Sequence, residues 1–242
     1  MLSVNNLSKR FGKVPALDDI RIDLEAGQVV ALIGPNGSGK TTLIRSVLGM
    51  VKQDKGSITC LGEEVLMSWK YRMEIGYMPQ LAKFPDRMKV KELFDMMKDI
   101  RKNMPGNTID SDLMALFDLQ KIYDKKIGTL SGGTKQKVSA ALAFLFNPKI
   151  LILDEPTTGL DPVSAELLKK KIVREQRKGK LILITSHILS DIEEVASHVM
   201  YLYEGKLQFV KSIACLKEET DEKSLNKAIV KIMLGSNHLE LV

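Results

Sequence analysis

Apolar residues fall along this chain in three kinds of pattern. Ile20-Arg-Ile-Asp-Leu-Glu25 alternates apolar and polar, the spacing of a strand with one wet face, and Ala26-Gly27 supplies a turn. Val29–Ile33, Ile150–Leu153 and Leu181–Ile184 are instead short, continuous apolar runs between Gly, Pro and charged residues, which fits strands buried on both faces of a parallel sheet. Periodicity alone leaves buried helix open for such runs. The Gly-rich and Asp-Glu-Pro sequences that follow two of them favour strand ends. Between these runs the period changes. Val90, Leu93, Phe94 and Met97 fall at helical spacing, as do Leu113, Leu116 and Phe117. Residues 84–146 therefore read as a helical segment inserted into an α/β core. Val199–Tyr203 followed by Glu204-Gly205-Lys206 predicts a hairpin, and Leu225, Ile229, Ile232 and Met233 predict a last amphipathic helix. The basic run Lys169-Lys-Lys171 with Arg174, Arg177 and Lys178 reads as a solvated helix face, with a nucleic-acid contact as the lesser alternative.

Length and composition narrow this picture without deciding it. With 242 residues the chain suits one large domain, or one plus a small subdomain, and can bury a sizeable core. At 44% hydrophobic and 27% charged it reads as globular. The 36 Lys and Arg against 30 Asp and Glu leave a net charge of +6, which suits an anionic ligand, an acidic membrane surface or nucleic acid alike. The longest apolar stretch, Val138–Phe146, contains Ser139 and falls well short of the ~20 residues of a membrane span. The N-terminus lacks the basic-then-apolar order of a signal peptide. Any membrane role is thus expected to need a partner. Cys60 and Cys215 lie far apart and outside metal-like spacing, as structural thiols would.

The chemistry is concentrated in three motifs. Gly34-Pro-Asn-Gly-Ser-Gly39-Lys40-Thr41-Thr42 matches G-x-x-x-x-G-K-[ST], between a predicted buried strand and a helical pattern through Leu43, Val47 and Leu48. That context marks a phosphate-binding loop. Its glycines let backbone N–H groups converge on phosphate oxygens, aided by the helix N-terminus. Lys40 is expected on the β- and γ-phosphates, and the Thr41 hydroxyl on Mg²⁺. Ile150-Leu-Ile-Leu-Asp154-Glu155 is a buried strand ending in two carboxylates. Asp154 is placed to hold Mg²⁺ through the strand end. Glu155, one residue on, points elsewhere and is suited to polarise a water for in-line attack on the γ-phosphate. Leu130-Ser131-Gly132-Gly133-Thr134 precedes an apolar helix; Ser131 can cap it, and the glycines leave N–H groups open to an anion.

Taken together, the phosphate loop, LSGGT and LILDEPTTGLDP, in that order, resemble the ATP-binding subunit of an ABC transporter over nearly the whole chain. The resemblance implies an α/β fold: a P-loop NTPase core with a parallel sheet, an antiparallel β-subdomain and an inserted helical subdomain. The corresponding division is residues 1–83 and 147–211 for the core, 84–146 for the helical subdomain and 212–242 for a short helical tail. It further implies that Phe11, in Lys9-Arg-Phe-Gly12, stacks on adenine where the family more often has Tyr. Gln80, in Gly76-Tyr-Met-Pro-Gln80, takes the Mg²⁺- and water-sensing position and opens the segment that faces a transmembrane partner. Ser131, Gly132 and Gly133 contact the γ-phosphate of ATP held by the opposite subunit, with the loop of Gly34, Pro35, Asn36, Gly37, Ser38, Gly39, Lys40, Thr41 and Thr42 holding the chain's own nucleotide. Asp161 belongs to a loop crossing the dimer interface, and His187 contacts the γ-phosphate. Thr134 departs from the Gln common at the end of the signature, and Gly159 from a frequent Ser or Ala. Neither position supplies catalytic charge.

The stretch LSGGTKQKVSAALAFLFNP also resembles the ATPases of transporters that serve copper-site maturation of nitrous-oxide reductase. By resemblance the chain is an ATPase with ATP and Mg²⁺ as cofactors. It would pair with a second ATP-binding subunit, expected to be a second copy, and with a transmembrane permease. Its place would be the cytoplasmic face of the membrane, held there through that permease. The short C-terminal end suits exporter-type subunits. The rival reading is a soluble ABC-fold ATPase acting on nucleic acid or ribosomes. Such proteins usually carry two cassettes or a long coiled-coil insertion, and this chain has one phosphate loop and too few residues between Gln80 and Asp161 for one. An ATP-binding switch without turnover would lack a carboxylate or histidine that Glu155 and His187 supply. No direct nucleic-acid contact is expected.

Overall fold

A computed structural model describes residues 1–104, 108–186 and 188–235. In chain order its strands and helices are β1 (Leu2–Phe11), β2 (Val14–Leu24), β3 (Val29–Ile33), α1 (Lys40–Val47), β4 (Lys55–Cys60), β5 (Glu63–Glu64) and β6 (Ile75–Met78). Then come α2 (Val90–Arg101), α3 (Asp112–Leu116), α4 (Gly132–Phe144), β7 (Ile150–Asp154), α5 (Pro162–Arg177), β8 (Leu181–Thr185), α6 (Leu189–Val195), β9 (His198–Tyr203), β10 (Lys206–Ser212), α7 (Ile213–Thr220) and α8 (Leu225–Gly235). The chain divides into two compact units. One comprises Met1–Tyr71 and the chain from Leu183 onward; the other is Arg72–Ile182.

The first unit holds an antiparallel sheet in the order β2-β1-β4-β5. Its inner face is set by the alternation read from the sequence. Ile20, Ile22 and Leu24 are buried while Arg21 and Asp23 are exposed, and Leu2 sits opposite both Leu24 and Cys60. The unit's other strands run in the order β10-β9-β3-β8. β3 is parallel to β9, with Val30 opposite His198 and Ile33 opposite Tyr201, and every residue of β3 is buried. Behind them Ala31, Ile33, Val199 and Tyr201 pack with Ile192 of α6 and with Ile213, Leu216, Leu225 and Ile229 of α7 and α8. The predicted last helix is thus part of a core, not a loose tail.

In the second unit β6 runs parallel to β7, with Ile75 opposite Ile150 and Met78 opposite Leu153. Helices α2, α3 and α4 occupy the segment whose spacing predicted them. α4 is buried on several sides through Val138, Ala140, Ala141 and Phe144, as an apolar helix must be. Ser131 caps it by accepting the Thr134 N–H. The expected solvated basic face of α5 requires correction. Lys170, Arg174 and Arg177 are exposed, but Lys169 is 8% exposed and Lys171 fully buried. The Lys171 ammonium lies 2.5 Å from Asp110, 2.9 Å from Asp112 and 3.1 Å from Glu175. Three carboxylates compensate its desolvation, so a cation is stable where the sequence suggests a wet surface. Among the described residues no helix is long and apolar enough to cross a membrane.

Candidate functional site

On the first unit the buried β3 runs directly into the loop of residues 34–39, and α1 begins at Lys40. Strand, loop and helix are therefore arranged as the sequence predicts. The loop is tightly held. A Cβ at Gly39 would stand 2.5 Å from the Ala16 carbonyl oxygen, and its φ of +105° is one that side chains avoid. The N–H of Gly205, in the turn between β9 and β10, donates to the Ser38 carbonyl at 3.0 Å, and the Gly205 carbonyl accepts from Asp18 N–H at 2.8 Å. The Lys40 ammonium bends back over the loop to the carbonyls of Gly34, at 2.7 Å, and Pro35, at 2.9 Å. This holds a cation over the Gly-rich loop at the start of α1, where a helix N-terminus favours an anion. The Ser38 hydroxyl is buried with no hydrogen-bond partner among the described residues. Thr41 and Thr42 follow on the first turn of α1.

Phe11 closes β1 and is 54% exposed, opposite Val14 at the tip of the hairpin. Lys9 reaches 5.5 Å from its ring centroid and pairs with Asp54 at 2.9 Å. Asp54 also accepts the Arg10 N–H, and these contacts, Lys9 first, hold its carboxyl below the usual range. An aromatic face left open on a fixed hairpin tip is what stacking on a flat base needs. His187 lies outside the described residues.

On the second unit β7 delivers Asp154 at its end, half-buried. Glu155 follows with φ of +52°, the left-handed region that a non-glycine residue rarely occupies. The turn places this left-handed residue directly after the strand-end carboxylate of Asp154. It stores strain of the kind found at functional sites. Glu155 is held by its neighbours. Its carbonyl accepts from Thr158 N–H at 3.2 Å and from the buried Gln136 side chain at 3.4 Å, and Thr158 Oγ1 donates to its carboxylate at 3.3 Å.

The signature segment lies against this same stretch. A Cβ on Gly133 would stand 2.4 Å from the Gly159 carbonyl oxygen, so only glycine allows the approach. Lys137 pairs with Asp161 at 2.7 Å. Asp161 caps α5 by accepting Ser164 N–H at 2.9 Å and Ser164 Oγ at 2.7 Å. Lys137 first, then Ser164, hold the Asp161 carboxyl far below the carboxylate range. Ser131 and Gly132 are exposed at the open end of α4, and nothing lies within 4 Å of a Cβ placed on Gly132. The structure thus brings Ser131–Gly133, Glu155 and Asp161 onto one unit through Gln136 and Lys137, two residues the sequence reading passes over. Their signal was present: Gly133, Gln136 and Lys137 share one helix face at i, i+3 and i+4.

Gln80 is exposed in the coil beyond β6. Beside it opens a cleft of about 390 Å³ lined by Phe84, Leu93, Met96, Met97, Leu142 and Phe146, with Lys83 and Arg101 as its charged members. Leu81, next to Gln80 in the chain, is 77% exposed, whereas Val90 is fully buried and belongs to the packing of α2.

The family model described as ABC transporter matches residues 17–158. The lantibiotic transport ATP-binding protein SrtF of Streptococcus pyogenes is 34% identical over 86% of this chain and 89% of its own length. The lipopolysaccharide export system ATP-binding protein LptB of Haemophilus influenzae is 34% identical over 86% of this chain and 88% of its own. A solved ATP-binding subunit of an ABC transporter superposes with a TM-score of 0.86 at 26% identity, covering 96% of this chain and 99% of that one. The chain, with its phosphate loop, strand-end carboxylates and signature helix, therefore belongs to the ABC transporter family as an ATP-binding, ATP-hydrolysing cassette.

Proposed function

We propose that this cassette pairs with a second copy around two MgATP molecules and drives a membrane permease, working as an exporter-type subunit. Each nucleotide would be held by one copy's loop of residues 34–42, with Phe11 on the base. The other copy's Ser131, Gly132 and Gly133 would complete it at the γ-phosphate. Glu155 would take the proton of the attacking water, with Gln80 and His187 as its neighbours at the phosphate, and Asp161 would lie at the boundary between copies. The open end of α4 supports this pairing: Ser131 and Gly132 are exposed at a helix N-terminus, and no described atom lies within 4 Å of a Cβ placed on Gly132.

Mg²⁺ fits the donors present. The Thr41 hydroxyl, the Gln80 amide oxygen and the Asp154 carboxylate are hard oxygen ligands. Among the described residues no group of three or more His, Cys, Asp and Glu could hold a metal, so an ion here would rely on the nucleotide's own oxygens as well. When bound, it would neutralise charge on the β- and γ-phosphates.

The observation that carries the permease reading is the apolar cleft next to the Gln80 segment. A groove of this size with two cations in its lining suits an amphipathic helix from a partner. The names of the relatives in lantibiotic transport and lipopolysaccharide export support an exporter-type role and, with it, a location at the cytoplasmic face of the membrane through the permease. The division into a core of residues 1–83 and 147–211, a helical subdomain of residues 84–146 and a tail of residues 212–242 remains our working assignment. The finer likeness, to the ATPase serving copper-site maturation of nitrous-oxide reductase, rests on residues 130–148. Identifying the membrane protein that co-purifies with this chain tests both. A variant Phe84→Asp, checked for folding by its melting curve, should lose recovery with membranes carrying that permease, because a charge would be left unpaired in a desolvated groove. Equal recovery of variant and wild type moves the docking site elsewhere.

A further inference from the structure

α6 begins two residues beyond His187 and is only seven residues long. A helix this short cannot hold itself in water, so its position is dictated by what it packs against. It packs against the end of the chain. Ile192 enters the same cluster as Ile213 and Leu216 of α7 and Leu225 and Ile229 of α8. Beside Ile192, the Glu193 carboxylate makes two bonds. One oxygen lies 2.6 Å from the Lys217 ammonium on α7; the other accepts the N–H of Leu225, the first residue of α8, at 3.2 Å. Both side chains are about two-thirds shielded, at 29% and 32% exposure. The carboxylate also faces the positive end of α8, an eleven-residue helix. Lys217, ahead of the Leu225 amide, holds the Glu193 carboxyl below its usual range. Three helices therefore meet at one carboxylate. The same C-terminal segment begins at the β9–β10 turn, whose Gly205 N–H is bonded to the phosphate loop at Ser38.

We propose that Glu193 is a positioning residue: by fastening α6 to α7 and α8, it fixes one end of the linker that carries His187, and so makes residues 213–235 part of the turnover machinery. This rests on the reading of His187 as a γ-phosphate contact. Nucleotide binding, which the loop of residues 34–42 performs, does not depend on the linker.

The test uses the full chain with the variants Glu193→Gln, Glu193→Ala, Lys217→Met, His187→Ala and the double variant His187→Ala with Glu193→Ala. Phosphate release at saturating ATP, affinity for a fluorescent ATP analogue and melting temperature are measured for each. Glu193→Gln keeps an acceptor for Leu225 N–H and loses only the ion pair, so it should fold and should match Lys217→Met. Glu193→Ala loses both bonds, and its turnover should fall about 5-fold or more, with nucleotide affinity within about twofold of wild type. In the His187→Ala background, Glu193→Ala should add little further loss, because residues acting as a unit are not additive. A merely structural role would lower the melting temperature and leave this split and this non-additivity absent. Unchanged turnover in folded Glu193→Ala overturns the proposal. So does a full further loss in the double variant. If His187→Ala itself turns over like wild type, the premise fails, and that result is separate from a failure at Glu193 because it does not involve the variants at positions 193 and 217.

Discussion

Replacing Lys171 by Met removes the buried ammonium that three carboxylates of the second unit share and keeps a chain of similar length. The cost can be worked from the partners. Breaking a buried ion pair by deleting one member typically destabilises by about 3–5 kcal/mol. Here the three carboxylates lose unequally. Asp112 is 45% exposed and keeps Arg174 at 3.1 Å. Glu175 is fully buried but keeps Lys178 at 2.7 Å and Lys180 at 2.5 Å. Asp110, 11% exposed, loses its cation and retains the Asp112 N–H at 3.0 Å. One stranded carboxylate in place of three puts the expected loss near the lower bound, about 3 kcal/mol. At roughly 2–4 °C per kcal/mol for a chain of this size, the melting temperature should fall by about 6–12 °C. The acid limb supplies a second check. Burial pushes the Glu175 carboxyl up, but hydrogen bonds from Lys178, Lys180 and Lys171 outweigh this and bring it down from 4.5 to about 2. Its contribution is therefore present above the unfolded value and lost as pH falls through the folded one. The gap between wild type and Lys171→Met should narrow between about pH 5 and pH 2. Denaturant titration at neutral and acid pH measures both. A loss under about 1 kcal/mol, or a gap independent of pH, refutes the view that these charges act as one buried network.

Two further outcomes follow from the phosphate loop and the signature helix. Lys40→Ala should weaken ATP binding itself, since it removes the loop's side-chain cation; nucleotide titration with unchanged affinity contradicts that role. Glu155→Gln, slow to hydrolyse, should shift from monomer towards dimer in sedimentation when MgATP is added, the outcome that the proposed completion of Ser131–Gly133 by another copy's γ-phosphate requires. A monomer at saturating ATP means that pairing needs the permease or a different chain.

What the sequence discloses here is whatever one local segment can specify. The phosphate loop is bracketed by its own strand and helix, β7 announces its end with Asp154-Glu155, and Ser131 caps α4 three residues from its donor. Each of these is complete within about ten residues. The features that escape are made by residues far apart in the chain. Lys171 sits in a run of lysines that looks wet, and its partners Asp110 and Asp112 lie 61 and 59 residues away. Glu193 in a polar heptapeptide gives no hint of Lys217 or Leu225. The left-handed turn at Glu155 is equally silent, because the usual marker of such backbone is glycine and here it is a glutamate. Lys137 and Gln136 stand in plain view at helical spacing from Gly133, but their role depends on a loop some twenty residues on.

The measurement that bears most directly on the whole account is steady-state phosphate release from ATP by wild type and Glu155→Gln, with nucleotide affinity taken alongside. The substitution keeps size and backbone and removes only the charge that can accept a proton. Turnover should fall by about 10²-fold or more while ATP affinity stays the same, the loss expected for a missing general base. Turnover in the variant within about threefold of wild type would contradict the assignment of hydrolysis to this strand end.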